Sequence, residues 1–374
     1  MNKETLQMSK LMKIVLTTLM LTFPVFAWSE VTYSFKGDFR FRNEQVKEEQ
    51  VSPLPEADQF RQRLRARVGG TAKINEKSEI TLRMATGSSS SSEGNTTNQT
   101  MTDYYSKKGF FLDLAYFNHK CSDETQIWGG KTPLVFAMAG GSDLVFDADL
   151  TPEGMALKYK HAMESSEVFA NIGASWLAER FSATGATDNT DVGLIGGQVG
   201  FTQKFESYGF TLAVANYNFS NIKGATAPTA KGNTLVGGAY DKEYNLTVGD
   251  LEISTLVSDV PVALYYEMAT NSEGGDYKTA GNVGVNIGKL KDPGSWLVKL
   301  DTREVEKDAV VGVLAESDSS GGGADLRSTR IAGFYQVAEN TNVALTLFKG
   351  ERFISSTTFT ADYSRVQLDF NFMF

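Results

Sequence analysis

The chain of 374 residues is short of several residue types, and each shortage excludes something. A single cysteine, Cys121, rules out any intramolecular disulfide. Only two histidines, His119 and His161, are present, each unpaired by spacing, which leaves little from which to build a Ser/His/acid relay or a histidine metal site. The reading is therefore of a protein that is not an enzyme and needs no cofactor or metal. Positive charge is in deficit, 36 Lys and Arg against 45 Asp and Glu, for a net charge of −9. That excludes a general nucleic-acid binder, whose basic surface must displace counterions from phosphate. Past Ala27 no apolar run approaches the roughly 20 residues that a membrane-spanning helix requires.

What is present is glycine, 35 residues, and aromatics at 11%, with only eight prolines, a balance suited to strands joined by tight turns. Lys3, Lys10 and Lys13 precede the apolar run Ile14 to Ala27, which reads as a secretory signal peptide over residues 1–29, cleaved after Ala27 or Ser29. Residues 30–374 then form one exported domain.

Alternation with period two runs through that domain. In "YSFKGDFRFR", Tyr33, Phe35, Phe39 and Phe41 share one face, while Ser34, Lys36, Asp38, Arg40 and Arg42 share the other. Ile80, Leu82 and Met84 alternate with Glu79, Thr81 and Arg83, and Val168, Ala170, Ile172 and Trp176 with Asn171, Gly173 and Ser175. The connections alternate too: seven short turns such as "NEK" and "KDPGS" against eight long polar loops, the first at 44–59 and others at 87–109, 132–153 and 305–326. Hydrocarbon offers backbone groups no water, so strands cross it only in a closed sheet. The expected fold is all-β: a transmembrane antiparallel β-barrel of 16 strands with short periplasmic turns and long extracellular loops.

The stretch "FRQRLRARV" places Arg61, Arg63, Arg65 and Arg67 on one face of a strand. Toward lipid, each would cost about 2 to 4 kcal/mol near the midplane, so this face belongs to the lumen. With Lys36, Arg40, Arg42, Lys73 and Arg83 it forms a ladder of positive charge on neighbouring strands. The connection "TPLVFAMAGGSDLVFDADLTPE" carries the opposite sign in Asp143, Asp147, Asp149 and Glu153, behind an apolar stretch, Leu134 to Ala139, that is odd for an exposed tip.

The segments "GDFRFRNE", "RQRLRARVGGTAKINEKSEITLRMATG", "WGGKTPLVF" and "DADLTPEG" together resemble Gram-negative outer-membrane porins of the putative-porin and general-porin families. The end "YSRVQLDFNFMF" resembles the closing strand of outer-membrane proteins, whose terminal aromatic, here Phe374, is the signal read by the barrel-assembly machinery. The resemblance implies an outer membrane setting among lipid and lipopolysaccharide, a homotrimer, and passive diffusion of small hydrophilic solutes and ions. It also implies that the loop 132–153 folds inward as a constriction. On that reading Arg40, Arg42, Arg61, Arg63, Arg65, Arg67 and Arg83 face Asp143, Asp147, Asp149 and Glu153 across the gap. Nine bases favour anions at the narrows and the net acidity favours cations at the mouths, so composition does not choose the ion. The competing reading is a structural or adhesive outer-membrane barrel in which the same charges neutralise one another in a blocked lumen.

Overall fold

The computed structural model describes residues 31–49, 56–88, 96–102, 104–180 and 190–374; the expected signal peptide, 1–29, lies outside the described residues. Sixteen long strands follow one another. They are β1 Thr32–Glu48, β2 Ala57–Lys73, β3 Ser78–Thr86, β4 Phe110–Lys120, β5 Thr125–Lys131 and β6 Glu153–Ala162. Next come β7 Ser166–Ala178, β8 Val192–Lys204, β9 Tyr208–Ser220, β10 Tyr244–Val257 and β11 Val260–Asn271. The circuit finishes with β12 Thr279–Gly288, β13 Trp296–Val305, β14 Leu326–Ala338, β15 Thr341–Arg352 and β16 Ala361–Met373. Each is antiparallel to its sequence neighbour, and β16 returns to β1, so the sheet closes and has no free edge. A two-residue segment, Gln99–Thr100, adds to β2 where the short β3 stops.

The chain seals itself at its last residue. Gly37 donates a backbone hydrogen bond to Phe374 O at 2.8 Å, and Phe374 donates one back to Gly37 O at 3.0 Å. The Phe374 ring lies over Gly37 so closely that a Cβ there would sit 2.3 Å from it and 2.8 Å from Arg67 O, so a larger residue would have to displace both the ring and the strand backbone.

Seven short connections leave one end of the barrel and eight longer ones the other, as the alternation of turn lengths predicts. One of the two tightest, Ser258 and Asp259, has both residues at positive φ, 48° and 68°, the conformation of a two-residue hairpin whose twist matches its strands. Apolar side chains such as Phe35, Ile172, Val199 and Leu264 stand exposed on the outer wall, while Arg42, Glu44, Asp301 and Gln367 are buried inside. This is a soluble protein turned inside out, as a barrel in lipid requires. The first long connection is shorter than expected: β1 continues to Glu48, because Glu44 and Arg61 pair directly across β1 and β2.

The barrel holds a core of its own, formed by three of the long connections. Residues 132–152, 221–243 and 306–325 pack on one another and on the inner faces of β8 to β11. Phe136 and Phe146 each meet the ring of Tyr217 edge-on, with centroids 4.8 Å apart. Leu246, Val248, Val310 and Val311 complete this apolar mass. Here the sheet is apolar on its inner face, and at the upper ends of β9 and β10 the polar Asn216, Asn218 and Thr247 point outward instead. These ends therefore rise past the hydrocarbon and hold the loops.

Candidate pore lining

The strand register assembles the basic wall. On the inner face of β1 and β2, Asp38 stands opposite Arg67, Arg40 opposite Arg65, Arg42 opposite Arg63, and Glu44 opposite Arg61. One strand further, β3 brings Arg83 opposite Gly69. Across the seam, β16 sets Asp369 beside Arg42 and Gln367 beside Glu44. All seven arginines singled out from sequence thus share one continuous stretch of inner wall.

Most of their charge is met on that same wall, by carboxylates that the sequence reading left unassigned. Arg42 forks onto Asp369, with Nε and Nη2 donating at 2.7 and 2.8 Å. Asp38 accepts from Arg65 Nε at 2.9 Å and Arg67 Nε at 2.7 Å, and Asp113 on β4 accepts from Arg83 Nε at 2.6 Å. Glu44 is fully buried, accepts from Arg61, and receives the Gln367 amide at 2.8 Å. Arg63 Nη2 donates to Asn98 O at 3.3 Å, and Arg40 donates to the Asn98 side chain. Asp38 and Asp369 sit on the polar faces of their strands, so alternation alone placed them in the lumen. Glu44 was hidden by its assignment to a loop.

The ladder divides by exposure. The side chains of Arg61, Arg63, Arg65, Arg67 and Arg83 keep 12 to 28% of their surface open, whereas Arg42 and Arg365 keep 5 and 6%. What covers the second pair is the loop 306–325. Its Asp318 accepts from Arg42 Nη1 at 3.2 Å and from Gln367 Nε2 at 3.1 Å, and it pairs with Arg365. Burial pushes the Asp318 carboxyl up, but Arg365 and Arg42 outweigh it and hold the group far below the usual carboxylate range. No sequence signal singled out Asp318, which lies in a polar connection rich in serine and glycine.

The acids of the loop 132–152 go to different places. Asp149 reaches the ladder: Arg67 Nη1 donates to it at 3.4 Å, and Arg65 Nη1 forms a looser ion pair with it at 3.9 Å. Asp143 turns to the opposite wall, where Arg303 on β13 donates at 2.9 Å; Arg303 also meets Asp301 at 3.3 Å and Glu316 at 3.6 Å. Asp147 lies between them, and its Oδ1 accepts from the backbone of Asp149 at 2.8 Å. Burial, then the neighbouring charge of Asp149, push its carboxyl well up from the ordinary range. Glu153 opens β6, is exposed, and accepts from Lys131 at 2.8 Å, away from the ladder. Backbone contacts anchor the loop: Gln198 exchanges two hydrogen bonds with Ala137, both at 2.8 Å, and Gly140 N donates to Glu252 at 2.7 Å.

A basic wall inside a closed barrel, facing an inward loop, invites comparison with known channels. The family model described as "Putative porin" matches residues 35–250 and 240–374, nearly the whole barrel. The chain belongs to this family. It is a porin barrel of the outer membrane of a Gram-negative bacterium. No curated protein sequence matches it. Among solved structures it is similar to OprB of Pseudomonas putida, at 11% identity and a TM-score of 0.55, with 91% of this chain and 94% of that one aligned. It is also similar to OmpF of Salmonella typhi in a complex with daunomycin, at 13% identity and a TM-score of 0.52, over 91% of this chain and 97% of that one. These likenesses establish the fold.

Proposed function

We propose that this porin forms a water-filled channel for passive diffusion of small hydrophilic solutes and ions, and that the passage runs along the arginine wall of β1 to β3. The observation that carries the reading is the meeting of Asp149 with Arg65 and Arg67, because it sets an acid of the inward loop against two of the arginines that stay partly exposed. There the loop 132–153 acts as the constriction. Arg40, Arg61, Arg63, Arg65, Arg67 and Arg83 line one side and Asp147 and Asp149 the other, and the transverse field between them orients water and dipolar solutes. Arg42, Asp143 and Glu153 act instead as structural charges: the first two lock loops to the wall and the third lies at the mouth. The reading includes assembly as a homotrimer and recognition of Phe374 by the barrel-assembly machinery.

The blocked-lumen reading also has an observation in its favour, since three inward loops and a neutralised ladder are what a plugged barrel would show. Planar-bilayer recording of the purified, refolded protein separates the two. Stepwise conductance that rises linearly with salt is the expected result, and its absence across repeated insertions would overturn the channel reading.

A further inference from the structure

At the periplasmic end of the lumen lies a cavity of about 510 Å³ whose lining is of two kinds. One part is the foot of the basic wall, with Lys36, Arg65, Arg67 and Arg83. The other comes from Phe334 on β14, Met373 on β16 and Leu290 in the turn between β12 and β13. Phe334 shares the inward row of its strand with the buried Ala332 and Gln336, while Ile331, Tyr335 and Val337 face out. Met373 continues the inward row of Asp369 and Asn371 and is 48% exposed. An apolar side chain on the inner face has no lipid to meet, and where no loop covers it the hydrocarbon is left against water.

On the basic side the charges are not all answered. Both oxygens of Asp38 are taken, one by Arg65 and the other by Arg67, Asp149 adds a further carboxylate to that pair, and Arg83 has Asp113. Lys36 follows Asp38 in the same inward row, is exposed, and its ammonium has neither a hydrogen bond nor an ion pair among the described residues. One cation is thus in excess beside an apolar surface. An inorganic anion would leave that surface wet, and an uncharged solute would leave Lys36 unanswered. What suits both sides is a single negative charge on an apolar body.

We infer that this cavity is a binding site for small organic monocarboxylates, whose carboxylate accepts from Lys36 Nζ at the foot of the arginine wall while the apolar body lies on Phe334 and Met373. This names a solute class for the proposed passage and rests on that reading as far as transport goes; the binding itself does not require that the barrel conducts.

The probe is benzoate, with benzyl alcohol as its uncharged counterpart and acetate as the anion without the ring. Binding is read by saturation-transfer NMR titration of the refolded protein in detergent micelles at low salt, against empty micelles. Saturable binding of benzoate, roughly tenfold tighter than benzyl alcohol, is expected, about the worth of one hydrogen bond to a charged group. Lys36→Gln should bring benzoate down to the level of the alcohol and leave the alcohol unchanged, while Phe334→Ser should weaken both aromatic probes and leave acetate as it was. Heat-modifiable migration on gels checks that each variant is folded. No saturable benzoate binding beyond that of empty micelles, or benzoate binding undiminished in folded Lys36→Gln, would overturn the assignment; the second outcome decides even if Phe334→Ser does not fold. Benzoate that fails to bind a protein that conducts removes this site alone, whereas benzoate that binds a protein without stepwise conductance keeps the site and removes the channel.

Discussion

The two halves of the inner wall solve opposite problems. Over β1 to β3 and β16 the sheet faces inward with charge, and each guanidinium is answered within the same few strands, by Asp38, Glu44, Asp113 or Asp369. Over β8 to β11 it faces inward with Tyr217, Phe219, Leu246 and Val248, and is answered by loops that fold down to cover it. One wall is satisfied locally and keeps part of its surface free for solvent; the other is incomplete without chain from elsewhere. The difference shows that a barrel can place a polar wall and a hydrophobic core side by side, using the same strand geometry, by choosing which side of the pleat carries apolar residues.

Substitutions sharpen this contrast. The largest effect is expected on the charged side, at Glu44→Leu: the carboxylate is fully buried, and its loss strands Arg61 and weakens the hold on Arg365. Leaving buried charge without its partner costs about 3 to 5 kcal/mol, measurable as a lowered denaturant midpoint for the barrel refolded in lipid vesicles. On the covered wall, Phe146→Ala removes a ring from the stack with Phe136 and Tyr217 and should cost about 3 kcal/mol. Its distinguishing sign is a loosened inward loop, seen as faster proteolysis within 132–152 while the strands stay protected. If both variants released the loop equally, the division into two walls would be wrong.

A smaller effect is expected from Gln198→Ala, which removes two hydrogen bonds to Ala137 from the edge of the covered wall and should cost about 1 to 2 kcal/mol in the same denaturation. The smallest concerns pH. The Asp147 carboxyl is raised, so its charged form destabilises the fold above the raised pKa and that penalty vanishes as pH falls through it. Asp147 should accept a proton while ordinary carboxylates are still ionised, and the loss of negative charge beside Asp149 should move ion preference toward anions. The shift should appear in reversal potentials on mild acidification and be absent in Asp147→Asn, which should also gain slightly in stability at neutral pH.

Much of this was legible before the structure. Alternation put Arg61 to Arg67 on one lumenal face, and the two classes of connection gave sixteen strands, because period two and turn chemistry are local properties of the chain. The apolar Leu134 to Ala139 is odd for an exposed tip, and it was the resemblance to porins that implied an inward fold for this loop. What local reading could not show was pairing across the seam. Arg42 and Asp369 are 327 residues apart and meet only because the barrel closes, and Asp318 reaches Arg42 from a loop with no pattern of its own. The acids therefore divided otherwise than expected, with Asp149 on the ladder and Asp143 on Arg303. The inward-facing Tyr217 and Phe219 did leave a trace, since "ANYNFS" keeps its alternation but with polar residues on the outer face.

The central claim, that ions pass along the partly exposed arginines, is tested most directly by the reversal potential of single channels in a salt gradient, comparing the native protein with Arg65→Ser combined with Arg67→Ser. Removing two positive charges beside Asp149 should leave stepwise conductance in place and move the reversal potential toward cations. Native-like steps with an unchanged reversal potential would take these arginines out of the passage and contradict the account.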